Sequence, residues 1–226
     1  MPEQRTFAGD RFALMAAIGQ NAPDFWGTWT MLATLEQFDR VPRILRLNVA
    51  GQPVNWMNWR EAVGLYVREL VILTWGDAIL RLRGGHSRGD GTQSKLDLHS
   101  IVMCRGRIVE PSRSVPPLTN TALFKRDRNM CLYCGGKFID FDLTRDHIAP
   151  LGRGGADRWD NCVAACKRCN HFKGNRLPHE CGLELIALPY VPNFAEYLAL
   201  TNEGRILADQ MDFLKTRFGK ESRLLA

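Results

Sequence analysis

Between residues 43 and 104 apolar and polar positions run in short alternating stretches, interrupted once by a helical spacing. "RILRLNV" (43–49) predicts a strand. Asn58 followed by Glu61 makes a capping box for a helix whose Trp59, Ala62, Val63, Tyr66, Val67 and Leu70 share one face. "LVILTW" and "AILRLR" predict two strands joined by a two-residue turn at Gly76-Asp77, and "LHSIVMC" predicts another. Between them "GGHSRGDGTQSK" (84–95) reads as a polar loop. Near the start, Asp10 caps a short helix with Leu14, Met15 and Ile18 on one face, and the aromatic-rich "FWGTWTMLATLEQF" reads as packing. A proline-bearing linker, "EPSRSVPPL", precedes a compact module ending near residue 190. An amphipathic helix over about 202–218 follows, with Leu207, Met211, Leu214 and Phe218 along its stripe.

These elements predict an α+β protein in four parts. They are a helical extension (1–40), a small α/β supporting or DNA-positioning domain (41–115), the compact module (116–192) and a C-terminal helical segment (193–226). The chain has 226 residues, 45% hydrophobic and 24% charged, enough to bury a sizeable core. No apolar run reaches membrane-spanning length and the N-terminus has no secretory apolar region, so the expected setting is cytoplasmic, with no membrane partner.

Charge narrows the class of partner. The formal charge is +6, and its distribution says more than its size. Residues 81–113 hold seven Lys/Arg against three Asp/Glu, and residues 119–180 hold eleven against seven, each segment netting +4. Positive charge therefore gathers where a phosphate backbone could lie.

The compact module carries the candidate chemistry. Of seven cysteines, four form two Cys-x-x-Cys pairs, Cys131/Cys134 and Cys166/Cys169, separated by 31 residues. Two such knuckles complete a closed tetrahedral zinc site, with iron and paired redox thiols as the other readings. Cys104, Cys162 and Cys181 read as small buried thiols. Four thiolates saturate zinc, which leaves Asp146 and His147 of "TRDHIAP" unassigned. A carboxylate suits a hard cation such as Mg2+ or Mn2+. On a strand the two neighbours point to opposite sides, so one can hold a metal while the other faces a water. Glycines 152, 154 and 155 permit close backbone approach to phosphate, and "CVAACKRCNHFKGN" reads as a helix carrying the second knuckle. His86, His99 and His179 read as solvated or packing residues.

The order Cys-x-x-Cys, Asp-His-Ile-x-Pro, Gly-Gly, Asn, Cys-x-x-Cys-Asn, Lys-Gly over about residues 117–192 closely resembles the zinc-containing HNH endonucleases, with their ββα-metal fold. More loosely, residues 43–115 are similar to the region preceding the nuclease module in some stand-alone bacterial members. The resemblance implies a DNA endonuclease in which His147 is the general base, Asp146 binds the catalytic Mg2+ or Mn2+, and Asn161 holds the loop that orients the imidazole. Asn170 takes the third motif position as second cation ligand, with His171 in reserve, because helical neighbours lie about 100° apart and do not both face one ion. An unperturbed histidine, with a pKa near ~6.5, accepts a proton at neutral pH. Arg145, Arg153, Arg168 and Lys173 are candidate phosphate contacts. Double-stranded DNA is the expected partner, and one site per chain implies single-strand cuts unless a homodimer forms. A zinc-dependent nucleic-acid-binding module without catalysis is the rival reading, and a thiol redox module a third.

Overall fold

A computed structural model describes residues 41–106 and 115–225. The helix expected from Asp10 and the aromatic-rich stretch after it lie outside these residues. The chain divides into two compact units, 1–108 and 109–226, so the helices after residue 193 belong to the same unit as the cysteine pairs. No helix among the described residues is long and apolar enough to cross a membrane.

The first unit is a four-stranded sheet with one helix. Its elements are β1 (Ile44–Leu47), β2 (Pro53–Met57), α1 (Trp59–Val67), β3 (Val71–His86) and β4 (Gln93–Cys104), with strand order β2-β1-β4-β3. Only β1 and β4 run parallel; the other neighbours are antiparallel. Both capping-box bonds expected at α1 form: Glu61 N–H donates to Asn58 Oδ1, and Asn58 N–H donates to Glu61 Oε2, each at 2.9 Å. Ala62, Val63 and Leu65 are then buried with Ile44, Met57, Leu98 and Val102. The expected turn at Gly76-Asp77 is instead an irregularity inside the continuous strand β3, where the register shifts between Trp75 and Ala78 and Gly76 takes φ 74°. A left-handed glycine adds one residue to a strand as readily as it reverses the chain, and pairing with β4 decides between them. The reversal lies at residues 87–92, so the polar loop is shorter than expected, with pairing continuing to His86↔Gln93.

In the second unit α2 (Asn120–Arg126) precedes an antiparallel pair, β5 (Leu143–His147) and β6 (Cys162–Cys166), and β6 runs directly into α3 (Lys167–Lys173). The segment read as one helix, "CVAACKRCNHFKGN", is thus strand over its first five residues and helix only from Lys167. Those first five residues are all buried, because the strand lies between two cores. One core holds Ala122, Leu123, Phe124, Leu143, Trp159, Cys162 and Ala164; the other holds Leu132, Tyr133, Val163, Ala165 and the inner cysteines. The helix expected over about 202–218 is shorter, α5 (Ala208–Lys215), and an unexpected helix, α4 (Phe194–Thr201), precedes it, the two separated by a turn at Gly204, whose φ is 80°.

Among the described residues no third strand pairs with the outer edge of β6, and other groups meet three of its polar atoms. Leu132 N–H donates to Ala164 O at 2.9 Å. Arg126 Nη2 donates to Cys162 O at 2.8 Å, and Ala164 N–H donates to Asp127 Oδ2 at 2.8 Å. Arg126 and Asp127 side chains are wholly buried and form a bidentate pair at 2.9 and 3.0 Å. Arg126 Nη1 also donates to Trp159 O and Tyr190 O, while Arg223 reaches Asp127 Oδ1 at 2.6 Å. Removing Arg126 leaves the buried Asp127 carboxylate with Arg223 alone, and breaking a buried pair is costly. Arg126→Met should therefore lower unfolding free energy by roughly 3–5 kcal/mol in urea titration; a loss below about 1 kcal/mol would show that the pair does not hold this edge.

Candidate active site

The four cysteines converge. Their sulfur atoms all lie within 4.8 Å of one another. In the first knuckle Gly135 N–H donates to Cys131 O and Cys131 N–H donates to Gly136 O, each at 2.9 Å, with Gly135 in the left-handed region at φ 73°. The second knuckle is a helix start: Cys166 is the N-cap of α3, and its sulfur accepts from Cys169 N–H at 3.4 Å. Burial raises the Cys131 thiol, but hydrogen bonds from the backbone at Cys166, Cys134 and Tyr133 outweigh it and leave the group below its ordinary pKa. Burial and the crowded neighbouring sulfurs push Cys169 up. Four sulfur donors at this separation fit zinc.

Alternation along β5 separates Asp146 from His147, as the pleat requires. Thr144 and Asp146 face α3. Asp146 is 4% exposed, with Oδ1 accepting from Lys173 Nζ at 3.1 Å and Oδ2 accepting from the Tyr133 hydroxyl. Burial and the Asp146 carboxylate together push the Tyr133 hydroxyl pKa far up, so it stays a donor. Lys173 Nζ also donates to His147 O at 2.7 Å. Asn170 Nδ2 donates to Thr144 Oγ1 at 2.9 Å. Asp146 and Asn170, the expected cation pair, therefore each have a protein partner of their own and share no hydrogen bond among the described residues. His171 is exposed on α3.

The opposite face of β5 carries Arg145 and His147, and both meet Asp157. His147 Nε2 lies 2.9 Å from Asp157 Oδ1. Arg145 Nη1 donates to both Asp157 oxygens, at 2.9 and 2.7 Å, while its other nitrogens donate to Asn120 Oδ1 and Leu118 O. Asp157 is held down to about 2 by hydrogen bonds first from Arg145 and then from His147. The loop between them is pinned by Asn161, whose Oδ1 accepts from Ala149 N–H at 2.9 Å and whose Nδ2 donates to Ala149 O and Ala156 O at 3.0 and 2.8 Å.

The four candidate phosphate contacts occupy different positions. Lys173, at 1% exposure, is buried on Asp146 and not presented to the surface. Arg145 is engaged with Asp157, and Arg153 pairs with Glu180 while remaining partly exposed. Arg168 is exposed, with no hydrogen bond or ion pair among the described residues. Asp157, Tyr133 and Lys173 as an internal counter-charge were missed from sequence. Asp157 is one of two acids after Gly-Gly, and nothing in spacing ties it to His147.

Comparison with known proteins finds similarity over the stretch that holds these residues. Residues 131–186 match the family model described as HNH endonuclease. It is 40% identical over 52 residues to a CRISPR-associated endonuclease Cas9 of Corynebacterium diphtheriae, covering 23% of this chain and 5% of that protein. It is 33% identical over 85 residues to the type IV methyl-directed restriction enzyme EcoKMcrA of Escherichia coli, covering 33% of this chain and 28% of that protein. A Cas9 of Actinomyces naeslundii matches at 39% over 62 residues, covering 27% of this chain and 6% of that protein. The chain thus spans a minor part of each relative.

The Asp146–Lys173 pair makes its own prediction. Lys173→Met leaves a buried carboxylate without its ammonium and should cost roughly 3–5 kcal/mol of stability. Adding Asp146→Asn should restore part of that loss in a double-mutant cycle. Strictly additive losses in urea titration would show that the two groups are not coupled.

Proposed function

We propose that this chain is a metal-dependent HNH endonuclease that hydrolyses DNA phosphodiester bonds, with His147 as general base. One observation carries the reading: His147 stands on a strand whose loop is fastened by Asn161, with one ring nitrogen tied to Asp157 and the imidazole partly exposed. Fold similarity alone would not argue chemistry, whereas a base held in place beside an approachable surface does. The succession β5, β6, α3 supports a ββα-metal arrangement, with the four cysteines holding structural zinc where strand passes into helix.

Asp146 and Asn170 are the residues proposed to hold the catalytic Mg2+ or Mn2+, with His171 in reserve. A carboxylate and an amide oxygen are donors that such ions take. Lys173 already supplies a positive charge to Asp146, so a cation seated there displaces an ammonium. When bound, the cation supplies Lewis-acid neutralisation at the phosphoryl and leaving oxygens. The residues' own work is simpler. His147 takes the proton of the attacking water, and Asn161 keeps the loop from carrying the strand end away. Arg168 and Arg153, the more exposed of the four basic candidates, support phosphate binding along the rim.

Double-stranded DNA is the proposed substrate. One site per chain cuts one strand, so a double-strand break requires a homodimer or two successive nicks.

Purified protein should nick supercoiled plasmid with Mg2+ or Mn2+, and His147→Ala should slow single-turnover nicking by about 10²–10⁴-fold. Absence of nicking by the wild type, with DNA binding intact, would replace the reading by a zinc-dependent binding module. Asn170→Ala should raise the metal concentration needed for half-maximal rate more than His171→Ala; the reverse order would transfer the ligand role. Metal analysis should find one zinc per chain, lost in Cys134→Ser, and disulfides in place of zinc would favour the redox reading.

A further inference from the structure

We infer that Asp157 is the positioning residue of the proposed general base, fixing both the ring plane of His147 and the nitrogen that takes the proton. This rests on the nuclease reading above and adds a residue and an atom to it.

Asp157 can play only one part in a hydrogen bond. Arg145 contacts both carboxylate oxygens and holds the group ionised at neutral pH, and an ionised carboxylate only accepts. The ring nitrogen 2.9 Å away must then carry its proton, so the bond reads Nε2–H to Oδ1. In the neutral imidazole the other nitrogen, Nδ1, is unprotonated. No described residue hydrogen-bonds Nδ1, which leaves its lone pair for a water.

The carboxylate is itself tightly placed. Arg145 is anchored by Leu118 O and Asn120 Oδ1, so a chain of fixed contacts runs from the start of α2 through Arg145 and Asp157 to the imidazole. The backbone brings Asp157 back over β5 by a turn with no room in it. A Cβ on Gly155 would lie 1.7 Å from Ala149 O and 2.6 Å from its carbonyl carbon, while Gly155 N–H donates to Pro150 O at 3.0 Å. This glycine closes the loop onto the strand end, two residues before the carboxylate.

One competing arrangement uses the same atoms. The His147 ring, Asp157 and the Cys162 sulfur lie close enough to chelate a soft metal ion. Two features oppose it. Both carboxylate oxygens already face the Arg145 cation, and burial keeps Cys162 a thiol that donates to Asp157 at 3.4 Å. The thiol is a second buttress for the carboxylate.

The test uses the full-length protein in Asp157→Asn and Asp157→Glu forms, with zinc content and urea midpoint as folding controls. The amide introduced by Asp157→Asn can present an N–H to the ring and invert the tautomer. That substitution should therefore lower kcat for plasmid nicking by about 10–100-fold, with KM within about 2-fold. Asp157→Glu, which keeps an ionised acceptor on a longer stem, should recover part of that loss. Independently, nitrogen-15 spectra of the His147 ring should show the proton on Nε2 in the wild type and a shift toward Nδ1 in Asp157→Asn. A wild-type ring protonated on Nδ1, or an Asp157→Asn kcat within about 2-fold of wild type, would overturn the inference. If the wild type nicks no DNA, the nuclease reading fails, and the tautomer spectra still decide whether Asp157 positions the ring.

Discussion

The buried pair of Arg126 and Asp127 is the constraint on which the second unit depends. A two-stranded ribbon exposes unpaired backbone along its outer side, and in a core that exposure is costly. Here one guanidinium and one carboxylate take the places a third strand would fill on β6, at Cys162 O and Ala164 N–H. The same guanidinium gathers the carbonyls of Trp159 and Tyr190, so the loop before β6 and the segment after α3 meet at one charged group. With its edge finished in this way, β6 can be apolar on both faces and separate two small cores.

That division sets up the chemistry. One face of the ribbon meets α3 and the cysteine cluster, and the other meets α2 and the glycine-bearing loop. Asp146 and His147, adjacent in sequence, fall on opposite faces and into different electrostatic settings. Asp146 is enclosed with an ammonium and a phenol. His147 stands beside a carboxylate that is 50% exposed and shared with Arg145. Proximity in the chain thus gives neighbouring groups opposite surroundings, one enclosed and one at the surface.

Local chemistry explains what the sequence made legible. Asn58 with Glu61 was readable because a capping box is complete within four residues, and the cysteine pairs because a knuckle is complete within four. Asn161 was found through its place in a known motif, and its three bonds to the preceding loop give that place a physical content. The misses are all long-range. Gly76 looked like a turn until its neighbours paired with β4 across the sheet, and "CVAAC" looked helical until two cores claimed its two faces. Asp157 sits ten residues beyond His147 in a loop of acids and glycines, Lys173 was read as a phosphate contact, and no local pattern singled out Arg126. Burial of a charged residue is decided by partners that local spacing does not specify.

Cys166 belongs to three structures at once: it ends β6 opposite Leu143, it caps α3, and its sulfur lies in the four-cysteine cluster. An ion held by those sulfurs would therefore fix the alignment of β6 against β5 as well as join two knuckles. Strand faces obey a rule of odd and even, and slippage by one residue would send His147 toward α3 and turn Asp146 outward. The cluster acts as a parity check on the ribbon: a chain with the wrong strand alignment would present the wrong one of two adjacent residues to the solvent.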